Sequence, residues 1–236
     1  MQQAEAAGAI WHPSPNFGVR RGGAEPCLVV VHYTAMATAD AALARLCAPE
    51  YEVSAHYLIG RDGRLWQLVA EAQRAWHAGV GAWGSISDVN SASIGVEIDN
   101  PGDAPFAEAA MARLEQLLPE IYARWDIGPG ALIGHADCAP ERKDDPGPRF
   151  DWRRLARQGL AFWPEPAADA SGDVARLLER VGYSAEAPVA AKLAAFRARY
   201  RQAAFAERAP VEAADRALLA SMPPPPAPRT RPMAGD

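Results

Sequence analysis

The spacing of apolar and polar positions changes several times along this chain, and each change marks an element. Residues 27–35, CLVVVHYTA, hold an unbroken β-branched run ending in His32, the pattern of a strand covered on both faces. Helices are therefore expected to flank a sheet. Thr38 offers an N-cap for the next segment, in which Leu43, Leu46 and Cys47 recur at helical spacing until Pro49 stops it. Residues 53–69, VSAHYLIGRDGRLWQLV, read as two strands joined at Asp62-Gly63, and residues 91–99, SASIGVEID, as a further short strand. Asp103 precedes a helix in which Phe106, Leu114, Leu117, Leu118, Ile121 and Trp125 share a face, with Pro119 expected to kink it. Residues 130–135, GALIGH, form a last short strand that delivers His135.

Beyond Trp163 the pattern changes. Residues 163–173, WPEPAADASGD, have the composition of a linker. Val174, Leu177, Leu178 and Val181 then fall at helical spacing and are closed by Gly182; Leu193, Phe196 and Tyr200 follow Pro188 at a second helix start. A third short helix carries Ala217, Leu218 and Leu219. Such a segment is near the lower size limit for folding alone, so it is expected to lean on the rest. The expected organisation is a main domain over residues 1–165, a small helical module over 166–222 and a Pro-rich flexible or extended tail over 223–236. The fold class is α/β, a mixed sheet with helices packed on it.

Composition narrows the partners. The chain has 236 residues, 49% of them hydrophobic, and a formal net charge of −5, so a substantial core is available and there is no basic footprint for nucleic acid or an anionic membrane surface. No apolar run reaches the ~18 residues of a membrane span, and the first residues lack the pattern of a secretory signal, which points to the cytoplasm. Cys27, Cys47 and Cys138 form no CxxC pair, which argues against a disulfide framework and fits a reducing compartment. A monomer is expected.

The loop at residues 134–152, GHADCAPERKDDPGPRFDW, has neither helical nor strand periodicity, yet it concentrates His, Cys, Lys, Arg and several acids. A bound cation is one candidate to hold such a loop. A catalytic zinc takes three protein ligands and leaves a fourth position open. His32 and His135 at two strand ends, with Asp144 or Asp145 in the loop, offer suitable atoms; singly, each histidine is equally well a core or surface residue with a satisfied hydrogen bond. In SIGVEID, Ile94, Val96 and Ile98 take one face and leave Gly95, Glu97 and Asp99 on the other. Glu97 is then either a general base or an acid on a solvated face, and Lys143 either an oxyanion partner or a surface lysine.

HADCAPERKDDPG, residues 135–147, resembles the His-x-Asp-x-x-Pro-x-Arg-Lys-x-Asp-Pro-Gly signature of the type 2 N-acetylmuramoyl-L-alanine amidases, a group related to peptidoglycan recognition proteins. VVVHYTA is similar to that family's first zinc-ligand strand, VSAHYLIGRDGRLWQLV to its central hairpin, AWHAG (residues 75–79) to its substrate-cleft segment and NSASIGVEIDNPG (residues 90–102) to its catalytic-glutamate strand. The resemblance covers roughly residues 11–163. It implies the amidase fold and one zinc ion per chain, bound by His32, His135 and Asp145. It also implies Glu97 as the base and Lys143 as oxyanion stabiliser. His77 would line the substrate cleft, while Trp76, Asn90, Arg142 and Pro140 would shape the cleft and support its loops. His56 is expected to be structural, and Cys138 to lie off the ligand position.

The implied reaction is zinc-dependent hydrolysis of the amide between N-acetylmuramic acid, in free or 1,6-anhydro form, and L-alanine. Its partners would be peptidoglycan fragments or muropeptides, without nucleic acid or membrane, in cell-wall recycling or turnover. A periplasmic site is the alternative to the cytoplasm, and a non-catalytic peptidoglycan-binding relative is the alternative to an enzyme. LLERVGY, VAAKLAAFRARYR and EAADRALLASM resemble in part the three-helix peptidoglycan-binding module appended to some of these amidases; a plain helical accessory is equally compatible.

Overall fold

A computed structural model describes residues 3–168 and 171–231. Its strands run in chain order β1 (Ile10–Trp11), β2 (Phe17–Gly18), β3 (Ala24–Glu25), β4 (Leu28–Tyr33), β5 (Tyr57–Ile59), β6 (Leu65–Gln67), β7 (Arg74–Ala75), β8 (Ser93–Ile98), β9 (Leu132–Gly134) and β10 (Arg229–Thr230). The helices are α1 (Ala39–Cys47), α2 (Val89–Ala92), α3 (Glu108–Trp125), α4 (His135–Cys138), α5 (Trp152–Arg157), α6 (Val174–Val181), α7 (Val189–Tyr200), α8 (Gln202–Ala206) and α9 (Ala213–Ser221).

Six strands form one sheet in the order β1-β6-β5-β8-β4-β9. β5 and β6 pair antiparallel through the Asp62-Gly63 turn, where Gly63 takes a φ of 82°. The other neighbours are parallel, so the sheet is mixed. β4 lies between β8 and β9 and buries Leu28, Val29, Val30 and Val31 completely, which is why its sequence shows no alternation. Each such side chain contributes about 1.5–3 kcal/mol relative to exposure.

The two faces of the sheet are packed differently. Ile94, Val96 and Ile98 of β8 join Tyr57 and Ile59 of β5 in a core closed by Met111, Leu114, Leu117, Leu118 and Ile121 of α3. Ala39, Ala42, Leu43 and Leu46 of α1 make a second cluster with Leu58, Trp66 and Leu68. Thr38 caps α1 by accepting from Ala41 N. α3 runs unbroken through Pro119, and Asp103 and Phe106 precede its first residue.

The helices α6, α7 and α9 pack against the sheet. Leu178 and Val181 of α6, Phe196 and Tyr200 of α7, and Leu219 of α9 belong to the same apolar core as β4 and α3. Tyr183 Oη donates to Asp137 in α4 at 2.7 Å, and Arg199 Nη1 donates to Leu132 O on the edge strand β9 at 3.0 Å. These helices thus cover the open edge of the sheet. Part of the expected tail is ordered, because Arg229 and Thr230 pair antiparallel with Glu25 and Ala24. The final residues of that tail, 232–236, lie outside the described residues. No helix among the described residues is long and apolar enough to cross a membrane.

Candidate metal centre and cleft

Strand order brings the chemistry together. The parallel register of β4 with β8 sets His32 beside Glu97, and that of β4 with β9 sets Val31 beside Gly134, the residue before His135. Three adjacent strands therefore deliver Glu97, His32 and His135 in a row at their carboxyl ends, where open α/β sheets bind ligands. His135 is not the last residue of its strand, as expected from GALIGH, but opens α4. The Asp137 carboxylate accepts from Gly134 N at 2.8 Å and turns the chain there.

Asp145, and not Asp144, completes the group. Its Oδ2 lies 2.9 Å from His32 Nδ1 and 3.1 Å from His135 Nδ1, and the two Nδ1 atoms are 3.0 Å apart. All three residues are buried. His135 Nε2 faces Ala78 O at 3.0 Å; a carbonyl only accepts, so the proton sits on Nε2 and Nδ1 presents a lone pair to the centre. A triangle of two imidazole nitrogens and a carboxylate oxygen about 3 Å on edge is compatible with bonds of about 2.0–2.1 Å to one small cation. These residues could hold a metal ion, and the donor set fits one.

Electrostatics agree with a site built around positive charge. Burial first, and the adjacent His135 second, lower His32 to about 4. Burial works to raise the Asp145 carboxyl, but its contacts with His135 and His32 outweigh that and hold it well below the usual carboxylate range. Glu97 is pushed up to about 8 by burial and then by the charge of Asp145, with Lys143 pulling the other way. Its Oε2 is buried and has no hydrogen-bond partner among the described residues. The solvated-face reading of Glu97 does not describe this position.

A cleft of about 420 Å³ opens over the triad, bordered by Glu97, Lys143, Trp76, His77 and Arg142, with α1 as one wall. Asn90 and His77, expected to shape and to line the cleft, are both held by partners of their own. Asn90 does not border the cleft: it is buried, and its Oδ1 accepts from His77 N at 3.0 Å and Ala78 N at 2.8 Å, so it shapes the loop from beneath. His77 does border it, but both ring nitrogens are engaged, Nδ1 with His32 Nε2 at 3.0 Å and Nε2 with Ser93 Oγ at 3.1 Å. Arg142 is a loop tie as much as a wall, donating to Ala78 O and Val80 O.

His56 is fully buried away from the cleft; its Nδ1 accepts from Gly95 N at 2.9 Å and its Nε2 donates to Gln73 O at 3.1 Å. Cys138 is buried, with Sγ against His135 O, and stands outside the ligand group. Sequence reasoning missed Ser93 and Arg20. Ser93 was within reach, since the alternation that groups Gly95 with Glu97 extends two residues back to it. Arg20, which donates to the carbonyls of Ser91 and Ser93, sits where nothing in the pattern points to it.

Chemically, a cation-ready triad beside a buried carboxyl and an amine groups this cleft with the metal-assisted hydrolases. Residues 22–148, more than half of the chain, match the N-acetylmuramoyl-L-alanine amidase family, Amidase_2, and the chain belongs to it. The amidase AmiD of Escherichia coli K12 is 42% identical over 154 residues, 58% of this chain and 55% of its own length, so the match spans about half of that relative. The 1,6-anhydro-N-acetylmuramyl-L-alanine amidase AmpD of the same organism is 34% identical over 175 residues, 66% of this chain and 94% of its own length. A solved structure of E. coli AmiD in complex with anhydro-N-acetylmuramic acid-L-Ala-D-gamma-Glu-L-Lys superposes with a TM-score of 0.74 at 32% identity, covering 89% of this chain and 97% of that one.

Proposed function

We propose that this protein is a zinc-dependent amidase that cuts the bond between N-acetylmuramic acid and L-alanine in peptidoglycan fragments, in cell-wall recycling or turnover. The observation that carries the reading is the convergence of His32, His135 and Asp145 in one cleft with Glu97 and Lys143. Family membership and the substrate held in the AmiD complex support the choice of amide. Two imidazoles and one carboxylate with an open position suit zinc better than copper or nickel.

His32, His135 and Asp145 would hold the zinc, which would supply polarisation of the amide carbonyl and acidification of a water beside it. Glu97 takes a proton from the attacking water, and among the described residues Oε2 has no competing partner to divert it. The base works only while ionised, so it depends on the Asp145 charge being neutralised. Lys143 donates to the amide oxygen as negative charge grows on it. Trp76 and Arg142 shape the cleft, and the proton held by Glu97 leaves with the L-alanine amine. Residues 1–165 carry this chemistry, and residues 166–222 brace α4 through Tyr183 and Asp137.

Digestion of purified anhydro-muropeptides and intact sacculi side by side, with and without a chelator, tests the reading by mass analysis of the products. The zinc-loaded protein is expected to release L-alanine-terminated peptide, and the chelated protein none. Glu97→Gln should keep its zinc and lose about 10²–10⁴-fold in turnover. Binding to sacculi without peptide release by the loaded protein would instead mark a non-catalytic peptidoglycan-binding relative. The faster-cut substrate indicates the compartment, the cytoplasm for free anhydro-muropeptides and the periplasm for sacculi.

A further inference from the structure

A hydrogen-bonded row leads from a main-chain carbonyl to the metal centre, and its proton positions can be read from the far end. Ser93 Oγ lies 2.5 Å from Val89 O. Neither oxygen tolerates such an approach without a proton between them, and only Ser93 has one to give. The hydroxyl is therefore committed to Val89, and toward His77 Nε2, 3.1 Å away, it offers a lone pair. His77 Nε2 must carry the proton.

The His77 ring packs against the rings of His32 and His56, and among the described residues no carboxylate is hydrogen-bonded to it, so nothing in the row calls for a second ring proton. With the proton on Nε2, its Nδ1 accepts, and the partner at 3.0 Å is His32 Nε2. His32 must then donate from Nε2, which leaves the Nδ1 lone pair facing Asp145 Oδ2 and His135 Nδ1. We infer that Ser93 and His77 are positioning residues that hold His32 in its Nε2–H form, so that Nδ1 is always the ligating atom. This rests on the metal reading of the triad given above.

Gly95 makes the row possible. A Cβ at that position would lie 2.4 Å from His77 Cγ, so the imidazole rests directly on the glycine of β8. Any side chain there would push His77 off the line to His32. Arg20 fixes the other end, holding the carbonyls of Ser91 and Ser93 at 2.7 and 3.1 Å.

The test combines zinc affinity, measured by competition with a chromophoric chelator, and long-range ring ¹⁵N–¹H spectra of the zinc-loaded protein. His77→Phe keeps a flat ring without nitrogens and should weaken zinc binding about 10- to 100-fold, the usual range for a lost partner of a metal ligand. His77→Asn, whose Oδ1 can replace the Nδ1 acceptor, should restore most of that affinity, and a merely space-filling role would give the opposite order. In the parent protein the spectra should show the His77 proton on Nε2 and the His32 proton on Nε2. A His77 proton on Nδ1, or equal zinc affinity in the parent and His77→Phe, overturns the inference while leaving the metal site intact. A parent protein that binds no zinc overturns both. If His77→Phe does not fold, the parent spectrum and Ser93→Ala, expected to weaken zinc in the same direction, decide alone.

Discussion

His32 and His135 meet at one point but come from different parts of the sheet. His32 lies within β4, whose backbone is committed to ladders on both sides. Its ring is oriented by side chains, the row through His77 and Ser93. His135 follows β9 at the sheet edge, and its ring is oriented by the main chain at Ala78 O. The support for its backbone comes from outside the sheet. Asp137 ties α4 to Gly134 N, Tyr183 and Arg199 grip Asp137, and Arg199 also lies over the Trp152 ring at 3.8 Å. A central strand supplies rigidity without help, whereas an edge strand must borrow it. The C-terminal helices are what this chain uses.

The contrast can be broken in three ways. Removing the group that both histidines share has the largest effect: Asp145→Ala should take the metal content of the purified protein from one zinc per chain toward none, read by elemental analysis. The edge side alone is attacked by Arg199→Met, which leaves the buried Asp137 carboxylate without its cation and should cost about 3 kcal/mol in urea unfolding. Zinc affinity in that variant should fall less than in His77→Phe, because Ala78 O still orients the His135 ring; a larger fall would mean that the helices, and not the carbonyl, set the ligand. The smallest effect is expected from Cys138→Ala. Its thiol donates to the carbonyl of His135 and stands outside the ligand group, so zinc content should stay at one per chain, and loss of metal there would reverse the ligand assignment.

Several elements are legible because burial writes itself into the residue pattern. β4 shows as an unbroken apolar run, β8 as alternation, and α1 and α3 as stripes, the first of them opened by Thr38. The two-residue strands β1, β2, β3, β7 and β10 leave no such trace, since a pair of residues has no period. The same holds for α2 and α4, single turns whose start is set by Asp88 in one case and by Asp137 in the other. Glu97 shows the limit from the other side. Alternation fixed which face it takes, but a strand face is wet or dry according to what packs over it, and His77, Lys143 and Asp145 come from elsewhere in the chain.

The sequence by itself determined the longer strands, their buried faces, the longer helices that cover them and, through an ordered set of motifs, the family and the identity of the candidate ligands. Those properties are local or are carried by residue order. Only the tertiary structure decided which nitrogen of each histidine faces the candidate metal site, that both ring nitrogens of His77 are engaged by His32 and Ser93, that Asn90 lies beneath the cleft, and that the C-terminal helices share the main core. Each of these depends on neighbours that are separated in the sequence, from 12 residues for Asn90 and Ala78 to 103 for His32 and His135. A side chain's type tells what it can donate or accept, but the neighbour that folding brings within 3 Å selects which of those it does.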